Sequence, residues 1–303
     1  MVMKNIKWVV FSLLLSLNMT AQAKLSVFAC EPEWASLVNE LGGELVETYA
    51  ATSGLQDPHH IQARPSLIAK IRNADMLACT GADLEVGWLP LLLQRSSNPN
   101  IQQGKPGHFM ATEFVRLLGI PKQLDRSQGD VHAAGNPHIQ TSPGNILPVA
   151  KAMSARLVEL DAGNAEEYKN KLADFEQRWK DALKKWKSET RVLKHTDIVV
   201  HHASWLYLED WLKLNNVAVL EDKPGIPPTS GHLTRILKQM NSTPAKMILY
   251  AAYQSDKASN WLSDKTDIPV VELPFTVGGN DKAVDLFSLY DDTFSRLLTA
   301  AQL

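Results

Sequence analysis

A strong excess of charge of either sign is missing from this sequence. Its 303 residues carry 31 Lys and Arg against 33 Asp and Glu, a formal net charge of -2. Proteins that bind nucleic acid or an anionic membrane surface typically have a basic excess, so the charge supports neither partner. The hydrophobic fraction of 45% is that of an ordinary globular protein, and the length allows one or two domains with sizeable cores.

Long hydrophobic runs are also missing, except near the start. Residues 1–23 combine Lys4 and Lys7, the apolar run WVVFSLLLSL and an A-x-A ending at Ala23. This order predicts a secretory signal peptide that is cleaved after Ala23. The run is too short to span a bilayer comfortably, and the next residue is Lys24 rather than a lipid-anchor cysteine. We therefore expect a soluble, exported protein, most simply a periplasmic one.

Cysteine is scarce, because Cys30 and Cys79 are the only two. In an exported protein such a pair indicates a disulfide, and the alternative is two separate buried thiols. Each cysteine lies at the end of an apolar, strand-like run, in LSVFAC and in ADMLACTG. If these strands are parallel neighbours, both sulfur atoms lie at the same edge of the sheet, which favours the disulfide.

Short apolar runs alternate with helical patterns in both halves of the chain. LSVFAC, LVETYAA and DMLACTG are strand-like in the first half, and DIVVHH, VAVLED, KMILYAA and PVVEL are strand-like after residue 190. This alternation predicts parallel sheets covered by helices. Between the halves an apolar stripe with spacings of three and four residues predicts one long helix. The stripe consists of Tyr168, Leu172, Phe175, Trp179, Leu183 and Trp186.

The predicted fold class is therefore α/β, with two Rossmann-like lobes that contain parallel sheets and are joined by one long rigid backbone helix. A helix of about 25 residues is about 38 Å long and reaches both lobes. The predicted boundaries are 1–23 for the signal peptide, 24–162 for the N-terminal lobe, 163–190 for the linking helix and 191–303 for the C-terminal lobe.

Five of the nine histidines lie in loops or at predicted strand ends. They are His59, His60, His138, His201 and His202. In open α/β sheets, ligands bind beyond the carboxyl ends of the strands. Several imidazoles at such ends suit zinc or a neighbouring transition metal better than calcium or magnesium. Neither HExxH nor an i, i+4 pair of histidines on one helix is present, so spacing alone leaves a metal site undecided.

Three motifs surround these histidines. His59 lies six residues before Pro65 and Ser66, NPHI contains His138, and HASWLY contains His202. Together with the segment LEVGWL, they resemble the motifs of the metal-binding receptors of ABC importers, the ZnuA/TroA-like solute-binding proteins. The resemblance covers essentially the whole mature chain. It implies that His59, His138 and His202 bind a metal between the two lobes.

At the position of the fourth metal ligand, this sequence differs from many members of that family. Many relatives have a glutamate at the position that carries Ala251 here. Other relatives have an aspartate followed two residues later by an aromatic residue, which resembles Asp285 and Phe287. Asp285 is therefore the expected fourth ligand, although an acid in the first turn of a helix is also favoured by the helix dipole. Asp281 is the second candidate for the fourth ligand, and a water molecule is a further one.

Three more histidines have secondary roles. Adjacent side chains of a strand point to opposite sides, so we expect only one residue of the pair His201 and His202 to face the cleft. The resemblance favours His202. His60 is expected to turn away from the metal, where it is exposed or orients its loop. His132, in the loop before NPHI, is either an accessory, transient ligand or a solvated side chain.

Three imidazoles and one carboxylate would form a closed four-ligand site. A catalytic zinc instead keeps a position open for water, so a closed site suits capture and release. The resemblance thus implies a monomeric, periplasmic, high-affinity receptor that delivers Zn2+ to an ABC permease in the inner membrane and does not bind nucleic acid. Mn2+ is an alternative cargo, although three neutral nitrogens favour zinc. Less favoured alternatives are a zinc-dependent hydrolase that uses Glu33 and a receptor for an organic solute.

Overall fold

The structure, a computed structural model, describes residues 23–123 and 129–302. The predicted signal peptide lies outside the described residues, apart from Ala23. Among the helices that the structure does describe, none is long and apolar enough to cross a membrane.

The N-terminal lobe contains a four-stranded parallel sheet with the strand order β2-β1-β3-β4. Its strands are β1 (Leu25–Ala29), β2 (Val46–Ala50), β3 (Met76–Cys79) and β4 (His108–Met110). The helices that connect them are α1 (Pro32–Gly42), α2 (Pro65–Arg72) and α3 (Leu89–Ser96). Each of these helices has a proline in its first two positions, where the missing N–H donor is not needed.

The C-terminal lobe has the same arrangement, with a four-stranded parallel sheet in the order β6-β5-β7-β8. Its strands are β5 (Asp197–Val200), β6 (Asn215–Val219), β7 (Met247–Ala251) and β8 (Val270–Leu273). Its helices are α6 (Leu206–Leu212), α7 (Ser230–Ser242), α8 (Lys257–Thr266) and α9 (Leu286–Gln302). The prediction of two α/β lobes with parallel sheets is confirmed.

Two long helices, α4 (Pro143–Leu160) and α5 (Ala165–Glu189), lie between the sheets in sequence. The 25 residues of α5 confirm the predicted long helix. Its charged face holds i, i+3 and i, i+4 ion pairs, such as the one between Arg178 and Asp174. Exposed pairs of this kind contribute little to stability, so the packing of the apolar stripe matters more. The predicted lobe boundaries remain a prediction.

The apolar stripe of α5 packs against helices from both ends of the chain. The ring centroid of Trp179 lies 4.8 Å from that of Phe287 and 5.6 Å from that of Tyr290 on α9. The indole N–H of Trp179 donates to the carbonyl oxygen of Pro143 at 2.9 Å. One continuous core cluster therefore contains side chains from both sheets as well as from α5 and α9. The lobes share this core, which restrains their movement relative to each other.

The predicted disulfide is confirmed, because Cys30 and Cys79 are bonded with their Cα atoms 4.8 Å apart. β1 and β3 are adjacent parallel strands, and Ala29 pairs with Ala78 immediately before the two cysteines. The sulfur atoms therefore meet at the carboxyl edge of the sheet, beneath the loops that follow these strands.

Replacement of Trp179 tests the shared core. Trp179→Ala removes a fully buried ring between α4, α5 and α9, and we expect the free energy of unfolding to fall by about 3–5 kcal/mol. Urea denaturation should still show one transition, because both lobes depend on the same core. Lys187→Ala, at an exposed position of the same helix, should change stability by less than about 0.5 kcal/mol. Two separate transitions in the wild-type protein would contradict a shared core.

Removal of the disulfide tests its structural role. The bond closes a loop between positions 49 residues apart, so the Cys30→Ser, Cys79→Ser double variant should lose about 2–5 kcal/mol of stability. Thiol titration of wild-type protein that is isolated without reductant and then denatured should detect no free thiol. Two reactive thiols per chain would show that the bond does not form.

Candidate metal centre

Three of the histidines from the sequence motifs lie together between the lobes. His59, His138 and His202 each offer a ring nitrogen, and these nitrogens lie within 4.8 Å of one another. The ring centroids are 5.2–6.0 Å apart, and all three side chains are buried. Zinc binds imidazole nitrogen at about 2.0–2.1 Å. A small contraction of this cluster would therefore place all three nitrogens around one ion.

The fold positions each histidine at the end of a regular element. His202 follows β5 with one residue between, and His59 lies in the loop that leaves β2. His138 precedes α4, which begins where the hydroxyl oxygen of Ser142 accepts the N–H of Gly144. Two ligands thus come from the N-terminal lobe and one from the C-terminal lobe.

Asp57 orients the ring of His59. Its Oδ1 lies 2.8 Å from Nδ1 of His59 and also accepts the backbone N–H of His59 at 3.0 Å. Burial alone would raise the pKa of Asp57, but the hydrogen bonds from His59 outweigh it and lower that pKa. A carboxylate accepts hydrogen bonds, so Nδ1 carries the proton and Nε2 keeps its lone pair. Nε2 is buried and has no hydrogen-bond partner within residues 23–123 and 129–302.

Glu221 has the same role for His202. Its Oε2 lies 2.6 Å from Nδ1 of His202, and its Oε1 lies 3.5 Å from Nε2 of His201. Burial would raise the pKa of Glu221, but the hydrogen bonds with the two histidines lower it to about 2. Glu221 is therefore ionised at neutral pH and leaves Nε2 of His202 free to bind a metal. Such carboxylate–imidazole pairs commonly support metal-binding histidines.

His138 has no orienting carboxylate. Both of its ring nitrogens are buried without a hydrogen-bond partner in the described part of the chain. Its ring packs edge-on against Phe275 at 5.3 Å, and burial lowers its pKa well below the usual value of 6.5. The imidazole is therefore neutral at pH 7, as a ligand must be. Buried polar groups nearly always have a partner, so an orphaned ring beside two oriented ones is best explained by a bound ion.

Hydrogen bonds from two motif residues join the loops of His138 and His202. Asn136 donates from Nδ2 to the carbonyl oxygen of Ala203 at 2.7 Å, and its Oδ1 accepts the N–H of His138. The hydroxyl of Tyr207 donates to the carbonyl oxygen of Asn136 at 2.7 Å and accepts the N–H of Leu118 at 3.0 Å. The asparagine of NPHI and the tyrosine of HASWLY thus fix the two lobes to each other at the site.

The segment LEVGWL supports the remaining loop. The indole N–H of Trp88 donates to the carbonyl oxygen of Pro58 at 2.9 Å, next to His59. Glu85 accepts the N–H groups of Thr80 and Gly81, which fixes the turn after β3. All three ligand loops are therefore held by hydrogen bonds to residues of the same motifs.

One expectation about the paired histidines is wrong. His201 and His202 both contact Glu221, and both line the same cleft. β5 ends at Val200, so the alternation of side chains along a strand does not extend to these two residues. His201 nevertheless lies outside the cluster of three ligand nitrogens.

The two expected accessory histidines differ in position. The side chain of His60 is 64% exposed, and its Nε2 lies 3.6 Å from a carboxylate oxygen of Asp130. The ring of His132 lies 5.4 Å from that of His59 and 6.3 Å from that of His138. Burial lowers the pKa of His132 to about 4, and its Nε2 has no partner among the residues described. His132 therefore lies at the edge of the cluster, partly exposed but with its Nε2 buried.

The expected carboxylate ligands are not in the cluster. Asp285 is exposed, and its Oδ1 accepts hydrogen bonds from the N–H and the hydroxyl of Ser288, both at 2.7 Å, so it caps α9. Asp281 is also exposed. In the described ranges, the group of ligand atoms within 4.8 Å of one another contains the three histidines and no carboxylate.

Glu33, the acid considered for catalysis, also lies elsewhere. It is buried, and its carboxylate accepts the hydroxyl of Thr276. Burial raises its pKa to about 7. It is not part of the cluster and does not line the cleft beside it. Its contact with Thr276 joins α1 to the segment after β8.

Asp57 and Glu221 are the functional residues that the sequence analysis missed. Asp57 precedes His59 by two residues, a spacing at which an aspartate can bond both the backbone and the ring of the histidine. Glu221 follows β6 and therefore lies at the same sheet edge as the histidines after β5. A search for acids at the carboxyl ends of predicted strands would have found Glu221.

The chain is similar in sequence to known metal-transport proteins. A family model described as ZnuA, zinc-uptake complex component A, periplasmic, matches residues 27–300. The manganese ABC transporter substrate-binding lipoprotein PsaA of Streptococcus anginosus is 21% identical over 264 residues, which are 85% of this chain and 82% of PsaA. The metal ABC transporter substrate-binding lipoprotein SsaB of Streptococcus sanguinis is 20% identical over 258 residues, 84% of this chain and 81% of SsaB.

Solved structures share the fold. A crystal structure of ZnuA matches with a TM-score of 0.77 at 19% identity and covers 92% of this chain and 100% of its own. The structure of a Mn-bound periplasmic metal-binding protein from Candidatus Liberibacter asiaticus matches with a TM-score of 0.74 at 18% identity and the same coverage. At these identities the likeness shows the two-lobed fold alone.

Loss of the hydroxyl of Tyr207 tests the link between the loops. Tyr207→Phe leaves the N–H of Leu118 and the carbonyl oxygen of Asn136 without this partner, so we expect a loss of about 1–3 kcal/mol of stability. Zinc affinity, measured by calorimetry, should also fall, because His138 and His202 are then less firmly positioned. Tyr49→Phe, on β2 in the N-terminal lobe, is the control and should leave zinc affinity unchanged. Equal zinc affinity of Tyr207→Phe and the wild type would show that this link does not position the ligands.

Proposed function

We infer the function from one premise: this chain belongs to the ZnuA family, the substrate-binding proteins of metal ABC transporters. We propose that it is a monomeric, periplasmic, high-affinity zinc receptor that delivers the metal to an ABC permease in the inner membrane. The predicted signal peptide at residues 1–23 supports export. The permease follows from membership in a family of importer receptors.

The observation that carries this proposal is the buried group of three imidazoles. His59 and His202 each have Nδ1 fixed by a carboxylate, so their Nε2 atoms remain for a metal. Nε2 of His59 and both nitrogens of His138 are buried and have no partner among the described residues. Without an ion, these three nitrogens have lost water and gained no hydrogen bond, which is costly. We therefore propose His59, His138 and His202 as the metal ligands.

Zinc is favoured over manganese by the donor atoms. Neutral imidazole nitrogen suits zinc, whereas manganese prefers carboxylate, carbonyl and water oxygen. Manganese is the second candidate, because PsaA of Streptococcus anginosus is named a manganese transporter protein and the related structure from Candidatus Liberibacter asiaticus is Mn-bound. A carboxylate ligand would make manganese more competitive.

The identity of the fourth ligand bears on whether the site prefers zinc or manganese. Asp285 would reach the ion only if its hydrogen bonds with Ser288 were given up. His132 could bind the ion without giving up a hydrogen bond of its buried Nε2, because this atom has no partner in the described part of the chain. We propose His132 or water, rather than Asp285, at the fourth position when zinc enters alone. A fourth nitrogen or a water molecule suits zinc.

A receptor explains the site better than a hydrolase does. Hydrolysis of a substrate by a zinc enzyme requires a general base close to the metal-bound water. The acids next to the cluster, Asp57 and Glu221, are already hydrogen-bonded to His59 and His202. Asp130 in the cleft lies 3.6 Å from Nε2 of His60, and Glu33 is bonded to Thr276. Ligands from the loops of two lobes suit capture and release instead, because a rearrangement of one loop would dismantle the site. We therefore propose that the protein is not an enzyme.

Substitution of single histidines tests this assignment. We expect His59→Ala, His138→Ala and His202→Ala each to weaken zinc binding by more than 100-fold, beyond the 10–100-fold typical of residues that only support ligands. Glu221→Gln should fall within that 10–100-fold range. His60→Ala is the matched control, because it removes an exposed imidazole next to His59. Wild-type affinity in His138→Ala would refute the ligand set.

Thermal unfolding provides a second readout of the same variants. Zinc at a free concentration of 100 times its dissociation constant should stabilise the folded protein by about 2.7 kcal/mol. The melting temperature should rise with zinc, return to its starting value with a chelator, and stay constant in His138→Ala. Stabilisation by manganese at a lower free concentration than zinc would favour the manganese alternative.

A further inference from the structure

A large cleft opens beside the three histidines, and its volume exceeds the needs of one metal ion. It encloses about 670 Å³, whereas a water molecule occupies about 30 Å³ in the liquid. Clefts of about 300–1,000 Å³ are typical of sites for small organic ligands. The cleft is therefore large enough to admit a small organic ligand beside the metal.

The cleft reaches the metal centre from one side. His59 and His202 line it, whereas His138 does not. His138 packs edge-on against Phe275, which also does not line the cleft. A metal held by the three histidines would thus direct a remaining coordination position toward the cleft.

The walls of the cleft combine an apolar surface with groups that favour a carboxylate. Trp261, Tyr253 and Leu233 provide aromatic and aliphatic surface. The first residues of α7 and α8, Ser230 and Lys257, also line the cleft. Two helix N-termini and a lysine make one end of the cleft electropositive, which favours a carboxylate.

Other groups in the cleft favour a ligand that donates N–H bonds. His201 is 6% exposed, and Nε2 of its ring faces Glu221, which leaves Nδ1 as an acceptor. Nδ1 is buried without a partner in residues 23–123 and 129–302. Asp130 also lines the cleft and contributes a carboxylate. These acceptors suit an amine, and the far end suits a carboxylate.

We propose that the receptor binds its metal as a complex with a small α-amino carboxylate chelator, of the chemical class of free histidine. The chelator's side-chain imidazole nitrogen occupies the coordination position that faces the cleft. Its amine lies toward Nδ1 of His201 and the carboxylate of Asp130, and its carboxylate lies toward Lys257 and the N-termini of α7 and α8, beside Trp261. This inference rests on the proposed function, because it requires the three histidines to hold the metal.

Equilibrium dialysis with isotopically labelled L-histidine tests the proposal. We expect the zinc-loaded wild-type protein to retain about one histidine per chain and the zinc-free protein to retain none. Lys257→Ala should lower the affinity for histidine at least tenfold and leave the affinity for zinc alone unchanged. Trp261→Ala should have a similar effect, with its melting temperature measured to confirm folding. Lys238→Ala is the control, because it removes an exposed lysine of α7 that does not line the cleft.

Two outcomes would overturn the proposal. Histidine that strips zinc from the protein without being retained would show that no ternary complex forms. Retention of histidine that is unchanged by Lys257→Ala and Trp261→Ala would show that it binds elsewhere. Failure of the wild-type protein to bind zinc both with and without histidine would instead refute the proposed function, so the two failures are distinguishable.

Discussion

Aromatic packing of α5 against both lobes is the constraint on which the metal centre depends. Trp179 and Trp186 contact Tyr290 on α9, while α5 also packs along α1 and α4. The hydroxyl of Tyr290 donates to the carbonyl oxygen of Gln140, two residues after His138. The rings that join the lobes thus also position the segment between His138 and α4. We infer that metal binding orders loops more than it moves the lobes.

The charges at the site are arranged to accept a cation without the protein holding a buried unpaired charge. Asp57 and Glu221 each accept a hydrogen bond from a ligand imidazole, so their negative charges are stabilised before metal arrives. When a divalent ion binds, these two carboxylates compensate its charge through the imidazole rings. Removal of one partner from such a buried arrangement is costly, which explains why a supporting carboxylate can matter almost as much as a ligand.

Much of the fold could be predicted because its signals are local. The alternating strands and helices, the stripe on α5 and the apolar runs before Cys30 and Cys79 all specify their own structure. The grouping of His59, His138 and His202 was predictable because the motifs around them resemble those of a known family. Asp285 shows the limit of this reasoning, since an aspartate before a helix is equally suited to capping it and to binding a metal. Asp57, Glu221 and His132 acquire their roles from contacts between distant segments, which spacing does not reveal.

X-ray absorption at the zinc edge of the loaded protein tests the central claim most directly, namely that three imidazoles from two lobes hold one ion. The account predicts scattering from imidazole nitrogens at about 2.0–2.1 Å, with at least three rings in the wild type and one ring fewer in any zinc retained by His138→Ala. A spectrum dominated by oxygen ligands, or one that His138→Ala leaves unchanged, would contradict it.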